Sequence, residues 1–131
     1  MESLLEVRHI SLKKGKGVFA KKNISKGTLI DIAHVVPIPN KEYKKIKKSV
    51  LYNYIYIWEN PKFNPEYKHA ITLSISQFIN HSYKPNIKYN YDYDNNVIIY
   101  RALQDISKGE ELTVNYNGKI DDKSPVWFKI E

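Results

Sequence analysis

The chain of 131 residues reads as a mostly β domain, built from several small antiparallel sheets with short helices, on three observations. Short runs rich in Val, Ile, Tyr and Phe recur along its length, punctuated by Gly, Pro, Asn and Asp. Asp94-Asn95-Asn96 stands between two such runs, Lys88 to Asp92 and Val97 to Ala102, as a hairpin turn would. Helical spacing of apolar residues shows clearly in one place, after Asn40.

In chain order, Leu4 to Val7 and Val18-Phe19-Ala20 are expected as strands around a glycine turn. Thr28 to Val36 is a longer strand, closed by Pro37 and Pro39, which cannot donate to a ladder. Asn40 is placed as the cap of a short helix, because Tyr43, Ile46 and Val50 then share one face. Leu51 to Trp58 alternates and is rich in β-formers, and it fits either a strand or a buried helix. Trp58 to Tyr67, with Pro61 and Pro65, is a loop. Ala70 to Leu73 is a strand leading into a turn of helix at Ser76 to Ile79, and Leu112 to Tyr116 is the last strand. No repeat, linker or domain boundary interrupts the chain, so residues 1–131 are read as one domain.

Composition narrows the function. With no cysteine there is neither a disulfide framework nor a thiolate zinc site. No apolar run nears the roughly 20 residues that span a bilayer, and a start carrying Glu2 and Glu6 is unlike a signal peptide. An intracellular protein without a membrane partner is expected, cytoplasmic in a bacterium and reaching a host nucleus if viral or secreted. The net charge of +7 invites a nucleic-acid reading. Only Arg8 and Arg101 carry the guanidinium fork suited to guanine edges and phosphates, which argues against nucleic acid as the direct ligand. Lysines crowd the first half, with Lys41 to Lys48 the densest run, while Asp92, Asp94, Asp105, Glu110, Glu111, Asp121 and Asp122 lie in the second. A basic peptide is therefore expected to dock near the C-terminal motifs.

Two stretches are chemically unusual. Asn80-His81-Ser82-Tyr83-Lys84-Pro85-Asn86 follows the mixed apolar run Ile75 to Ile79, so its amides and imidazole need partners, at a cost of about 1–3 kcal/mol for each group left without one. Gly109-Glu110-Glu111-Leu112-Thr113-Val114-Asn115-Tyr116 runs from a turn through a strand to a tyrosine. Together with Gly15-Lys16-Gly17-Val18-Phe19-Ala20, and in that order, they resemble the SET domain family of protein lysine methyltransferases. Asn23 to Ile30 resembles that family's second strand pair, and the likeness runs from about Val7 to Phe128.

The resemblance implies a β-clip, SET-type fold with a core at about 7–117, in which the C-terminal segment threads past the Asn-His-Ser segment in a pseudoknot. It implies S-adenosyl-L-methionine as cofactor, no metal, and a lysine-bearing protein as substrate: a histone, a ribosomal protein or a host protein. Lys16, Gly17, Val18 and Phe19 would then hold the methionine end of the cofactor, with Asn80 and His81 at the adenine and amino groups. Tyr116 takes the place of the catalytic tyrosine, and Tyr89 and Tyr54 those of channel-lining tyrosines. In place of the cysteine-rich segment of many relatives, the tail 118–131 would close the site with Trp127 and Phe128. A departure stands just before Asn80, where Thr72-Leu73-Ser74-Ile75-Ser76-Gln77 replaces glycines of short relatives. The exposed sheet edges also allow a homodimer. A non-catalytic module with the same fold, and a basic nucleic-acid-binding domain, are the competing readings; the latter leaves the motif spacing unexplained.

Overall fold

The computed structural model describes residues 3–59, 66–116 and 123. Two sheets carry the fold, and both are assembled from segments distant in sequence. The first holds β1 (Leu5–Ser11), β2 (Gly15–Ala20), β9 (Glu111–Val114) and β6 (Asn80–His81), in that spatial order. The second holds β4 (Tyr56–Ile57), β5 (Tyr67–Thr72), β3 (Leu29–Pro39), β8 (Val97–Ala102) and β7 (Ile87–Asp92). All pairings are antiparallel except β6 with β9, which is parallel and sets Asn80 opposite Thr113 and His81 opposite Val114.

The hairpin β7–β8 forms as expected, with Asp92 opposite Val97 and Asn96 at φ 53° in its turn. Gly15 at φ 71° closes the β1–β2 hairpin, and both strands extend further towards that turn than expected. The strand of Thr28 to Val36 does not stop at Pro37. β3 continues to Pro39, because beyond His34 it pairs only with β5, and a missing donor on the open side costs nothing there. The helix α1 (Asn40–Ile46) is capped by Pro39, without a side-chain bond, so Asn40 is its first residue rather than its cap. Leu51 to Trp58 is neither a whole strand nor a buried helix. A 3₁₀ turn at Val50–Tyr54, started by the Ser49 hydroxyl accepting from the Leu51 amide, precedes the two residues of β4. Of the loop expected between Trp58 and Tyr67, residues 60–65 lie outside the described residues, and β5 begins at Tyr67 rather than at Ala70. Ile24 makes a lone bridge to Ile106, so Asn23 to Ile30 supplies one strand start and one bridge rather than a pair of strands.

The core between the sheets takes Val18, Ile24, Trp58, Ile87, Ile98, Tyr100, Ile106, Leu112 and Val114, all essentially buried. One buried polar residue, Asn86, ties the two unusual stretches together. Its amide nitrogen donates to the Glu111 carbonyl at 2.9 Å, and its oxygen accepts from the Thr113 amide at 2.8 Å. The Ser82 amide adds a bond to the Val114 carbonyl at 2.9 Å. Up to Tyr116 the C-terminal segment, expected to thread past the Asn-His-Ser segment, runs alongside it through the pairing of β9 with β6; the rest of it, with Trp127 and Phe128, lies outside the described residues.

Candidate functional site: a tyrosine-walled pocket beside a polar cluster

A cavity of about 550 Å³ opens where the edge strands β4 and β7 approach the crossing of β6 and β9. Six tyrosines line it: Tyr54, Tyr56, Tyr89, Tyr91, Tyr93 and Tyr116. Asn53, Ile55, Ile57, Glu59, Gln77, Ile79 and Asn90 complete the wall. Alternation explains the crowding. Tyr89 and Tyr91 are two apart on β7, Tyr93 follows in the same phase, and Tyr54 and Tyr56 flank Ile55 in the same way. The rings brace one another: Tyr56 meets Tyr89 and Tyr91 edge-on at 6.1 and 6.4 Å, and Trp58 sits 4.9 Å from Tyr91 and 4.8 Å from Tyr93. Such aromatic pairs add roughly 0.5–1.5 kcal/mol each beyond their burial.

Burial keeps Tyr56, Tyr89, Tyr91 and Tyr116 protonated. It pushes Tyr56 up to about 12, against a lowering by the bond to the Tyr100 hydroxyl at 2.6 Å. Tyr89, Tyr91 and Tyr116 are raised as well, first by burial and then by the neighbouring tyrosines. These four side chains are therefore uncharged at neutral pH, and among the described residues the lining carries a single carboxylate, the exposed Glu59. The pocket thus offers a neutral aromatic sleeve with hydroxyls along it, suited to an alkyl chain ending in an amine.

Of the residues singled out in the sequence, Tyr116, Tyr89 and Tyr54 meet in this pocket. Tyr116 is held at both ends: its hydroxyl donates to the Ile79 carbonyl at 2.8 Å, and its amide donates to Nδ1 of His81 at 3.0 Å. That second bond ends β9 at Val114, short of the expected Tyr116, because the Tyr116 amide leaves the ladder for an imidazole. It also fixes the imidazole, since Nδ1 accepts only when unprotonated. Burial lowers the His81 pKa below 6.5 and so favours that neutral form.

Behind Ile79 and Tyr116 lies the second expected group. Asn80 donates through Nδ2 to the Lys16 carbonyl at 3.1 Å and to Oε2 of Glu111 at 2.8 Å. Gly17 is buried against this cluster: a Cβ there would stand 2.6 Å from Cδ1 of Ile10, 2.7 Å from Oε2 of Glu111 and 3.1 Å from Nδ2 of Asn80. Only glycine admits so close an approach of backbone and side chains. Lys16 holds its ammonium 5.6 Å above the Phe78 ring, and Arg8 lies 4.7 Å from the ring of Phe19. Val18 points into the core, fully buried, with its backbone paired to Val7 and Leu112. The Glu111 carboxylate and the Lys16 carbonyl are acceptors gathered around Asn80, a set that fits a cationic, hydrogen-bonding ligand. Among the described residues, no group of three or more His, Cys, Asp or Glu could hold a metal ion.

Tyr56, Tyr91, Tyr93 and Glu59 were not singled out in the sequence, and Gln77 stood out only as the end of the Thr72 to Gln77 departure. The alternation of the tyrosines was a legible signal for the first three; nothing local marked Glu59. Among the described residues the acidic one at the pocket is Glu59, from the first half of the chain; of the second-half carboxylates expected to draw a basic peptide, Asp121 and Asp122 lie outside the described residues.

The family model of the SET domain matches residues 15–117. A relative from Schizosaccharomyces pombe named as a histone-lysine N-methyltransferase, H3 lysine-37 specific, is 33% identical over 132 residues, covering 100% of this chain and 81% of that protein. Among solved structures, a Plasmodium falciparum protein described as a candidate histone methyltransferase superposes with TM-score 0.66 at 26% identity, over 98% of this chain and 100% of that one. The Neurospora SET domain protein DIM-5, a histone lysine methyltransferase, gives 0.62 at 22% identity over 95% of this chain and 56% of that one, a likeness of fold.

Proposed function

This chain belongs to the SET domain family and is a protein-lysine methyltransferase, and from that premise we propose that it uses S-adenosyl-L-methionine to methylate a lysine ε-amine inside the tyrosine-walled pocket. The observation that carries the reading is the junction at Tyr116, which lines the pocket with its ring and reaches the Asn80–His81 cluster through its backbone. The two halves of a transfer site thereby share one residue.

When bound, S-adenosyl-L-methionine supplies a methyl group on a sulfonium. Asn80, Glu111 and the Lys16 and Gly17 backbone would hold its cationic amino-acid end, with His81 beside it. The pocket's own work is on the lysine. From a pKa of about 10.4, its proton costs about 4–5 kcal/mol to remove at pH 7. Among the described residues the pocket has no buried general base, and Tyr89 and Tyr116 hold their own protons too firmly to help. Desolvation by the aromatic walls disfavours the ammonium form, so the amine enters neutral or loses its proton to solvent on the way in. Alignment then accounts for most of the acceleration. A histone tail is the substrate we favour, since relatives along the whole chain carry that name. Glu59 at the pocket suits a further cation next to the target lysine.

Labelled S-adenosyl-L-methionine with a panel of histone and non-histone lysine substrates tests the reading. Tyr116→Phe, which removes the hydroxyl but keeps the ring, is expected to cut turnover about a hundredfold with the fold intact. Full turnover in that variant would remove Tyr116 from the chemistry. A wild-type protein that binds the cofactor and labels no lysine would favour a binding module.

A further inference from the structure

The 3₁₀ turn of Val50–Tyr54 supplies Asn53 and Tyr54 to the pocket, yet none of its side chains is buried. An element without apolar anchorage is among the first to open locally. What reaches it from the core side is polar apart from one ring. Gln77 donates through Nε2 to the Tyr54 carbonyl at 2.5 Å, and through Oε1 it accepts from both the amide and the hydroxyl of Thr72, each at 2.9 Å. The turn that carries Gln77, Ile75–Phe78, is itself pinned to β3: the hydroxyls of Ser74 and Ser76 both donate to Oδ2 of Asp31, the second at 2.5 Å. The Phe78 ring completes the contact, edge-on to Tyr54 at 5.9 Å.

We propose that Gln77 is a positioning residue that sets where the Tyr54 wall stands, as the outer arm of a strut running from Asp31 through Ser74, Ser76 and Thr72, and that this strut governs which lysine, at which stage of methylation, the pocket accepts. The proposal rests on the pocket being the lysine channel. The chemistry is specific to this stretch. Glycines at 74 and 76 would leave the Asp31 carboxylate without its two donors, and a residue at 77 unable both to accept and to donate could not join β5 to the turn. The segment of Thr72 to Gln77 is thus the segment that fixes one wall of the pocket. Widening that wall leaves room for an amine already carrying methyl groups; narrowing it excludes one.

Gln77→Glu separates the two arms. Its carboxylate still accepts from Thr72, whereas its outer oxygen opposes the Tyr54 carbonyl and pushes the turn away. Gln77→Met, of similar length and uncharged, drops both arms and serves if the charged variant folds poorly. Hydrogen exchange read by mass spectrometry is expected to quicken about tenfold or more at amides 50–57 in either variant, with residues 5–20 unchanged. On a lysine peptide, KM is expected to rise several-fold while cofactor affinity by calorimetry stays at the wild-type value, and the ratio of mono-, di- and trimethylated product shifts towards the higher forms. Unchanged exchange at 50–57 overturns the strut, and quickened exchange with wild-type KM and product ratio overturns its role in specificity. Exchange needs no substrate, so a wild-type protein inactive on every lysine, which would sink the pocket assignment itself, is told apart from either result.

Discussion

At the scale of single residues, the site depends on which atoms of His81 carry protons. Nδ1 accepts from the Tyr116 amide, so the imidazole must be neutral there, and burial lowers its pKa below 6.5 in agreement. His69 shifts in the same direction, through burial first and Lys68 after it, with Glu59 opposing. A base whose pKa is lower folded than unfolded binds more protons when unfolded. The stability it contributes is then complete above about pH 6.5 and is lost as pH falls through that value towards the folded pKa. The thermal midpoint of the wild-type protein is expected to drop between pH 7 and pH 5, and less so in His81→Gln, where an amide oxygen can still accept from Tyr116. Differential scanning fluorimetry across that range decides it; parallel curves for the two proteins would show that His81 does not titrate with unfolding. Tyr89, Tyr91 and Tyr116 add no acid-side dependence, since burial keeps them protonated well past neutrality.

At the scale of elements, the decisive contact is the two-residue parallel pairing of β6 with β9. So short a ladder is weak by itself, and its register comes from Asn86, whose side chain answers a carbonyl and an amide of β9 at once. Asn86→Ala strands both backbone groups in a buried place and is expected to cost about 2–4 kcal/mol, measured as a shift in urea midpoint with m unchanged. A loss under about 0.5 kcal/mol would mean that water replaces the side chain. The same logic explains why Asn80 and His81, polar and central, form a strand at all. Their side chains are spent on Lys16, Glu111 and Tyr116, while their backbones pair with β9.

At the scale of the whole molecule, the first sheet closes only when the chain's late segment arrives. β9 lies between β2 and β6, so without it neither of those strands has a partner on that side. Ending the chain after Gly109 is expected to abolish the cooperative thermal transition by circular dichroism, although the β3–β8 and β7–β8 pairings are retained in sequence. A transition persisting near the wild-type midpoint would show that the five-stranded sheet folds independently. Pocket and polar cluster share this dependence. Tyr116 follows β9, Ile79 and Asn80 precede and enter β6, and Tyr89 and Tyr91 lie on β7, so the site is assembled by the same long-range crossing that completes the core. Short motifs were enough to identify the family whose model matches residues 15–117, and alternation was enough to announce the β7–β8 hairpin. The sequence by itself therefore determined the fold class, the family and three of the six tyrosines of the pocket. Local pattern could not tell that Leu51 to Trp58 divides into a turn and a strand, because apolar alternation there serves a pocket rather than a sheet face. Nor could it tell that Pro37 sits in a strand, that Glu59 stands at the pocket, or that Gln77 spans from Thr72 to Tyr54. Each of these is settled by a partner many residues away, and only the folded chain decides which groups become neighbours.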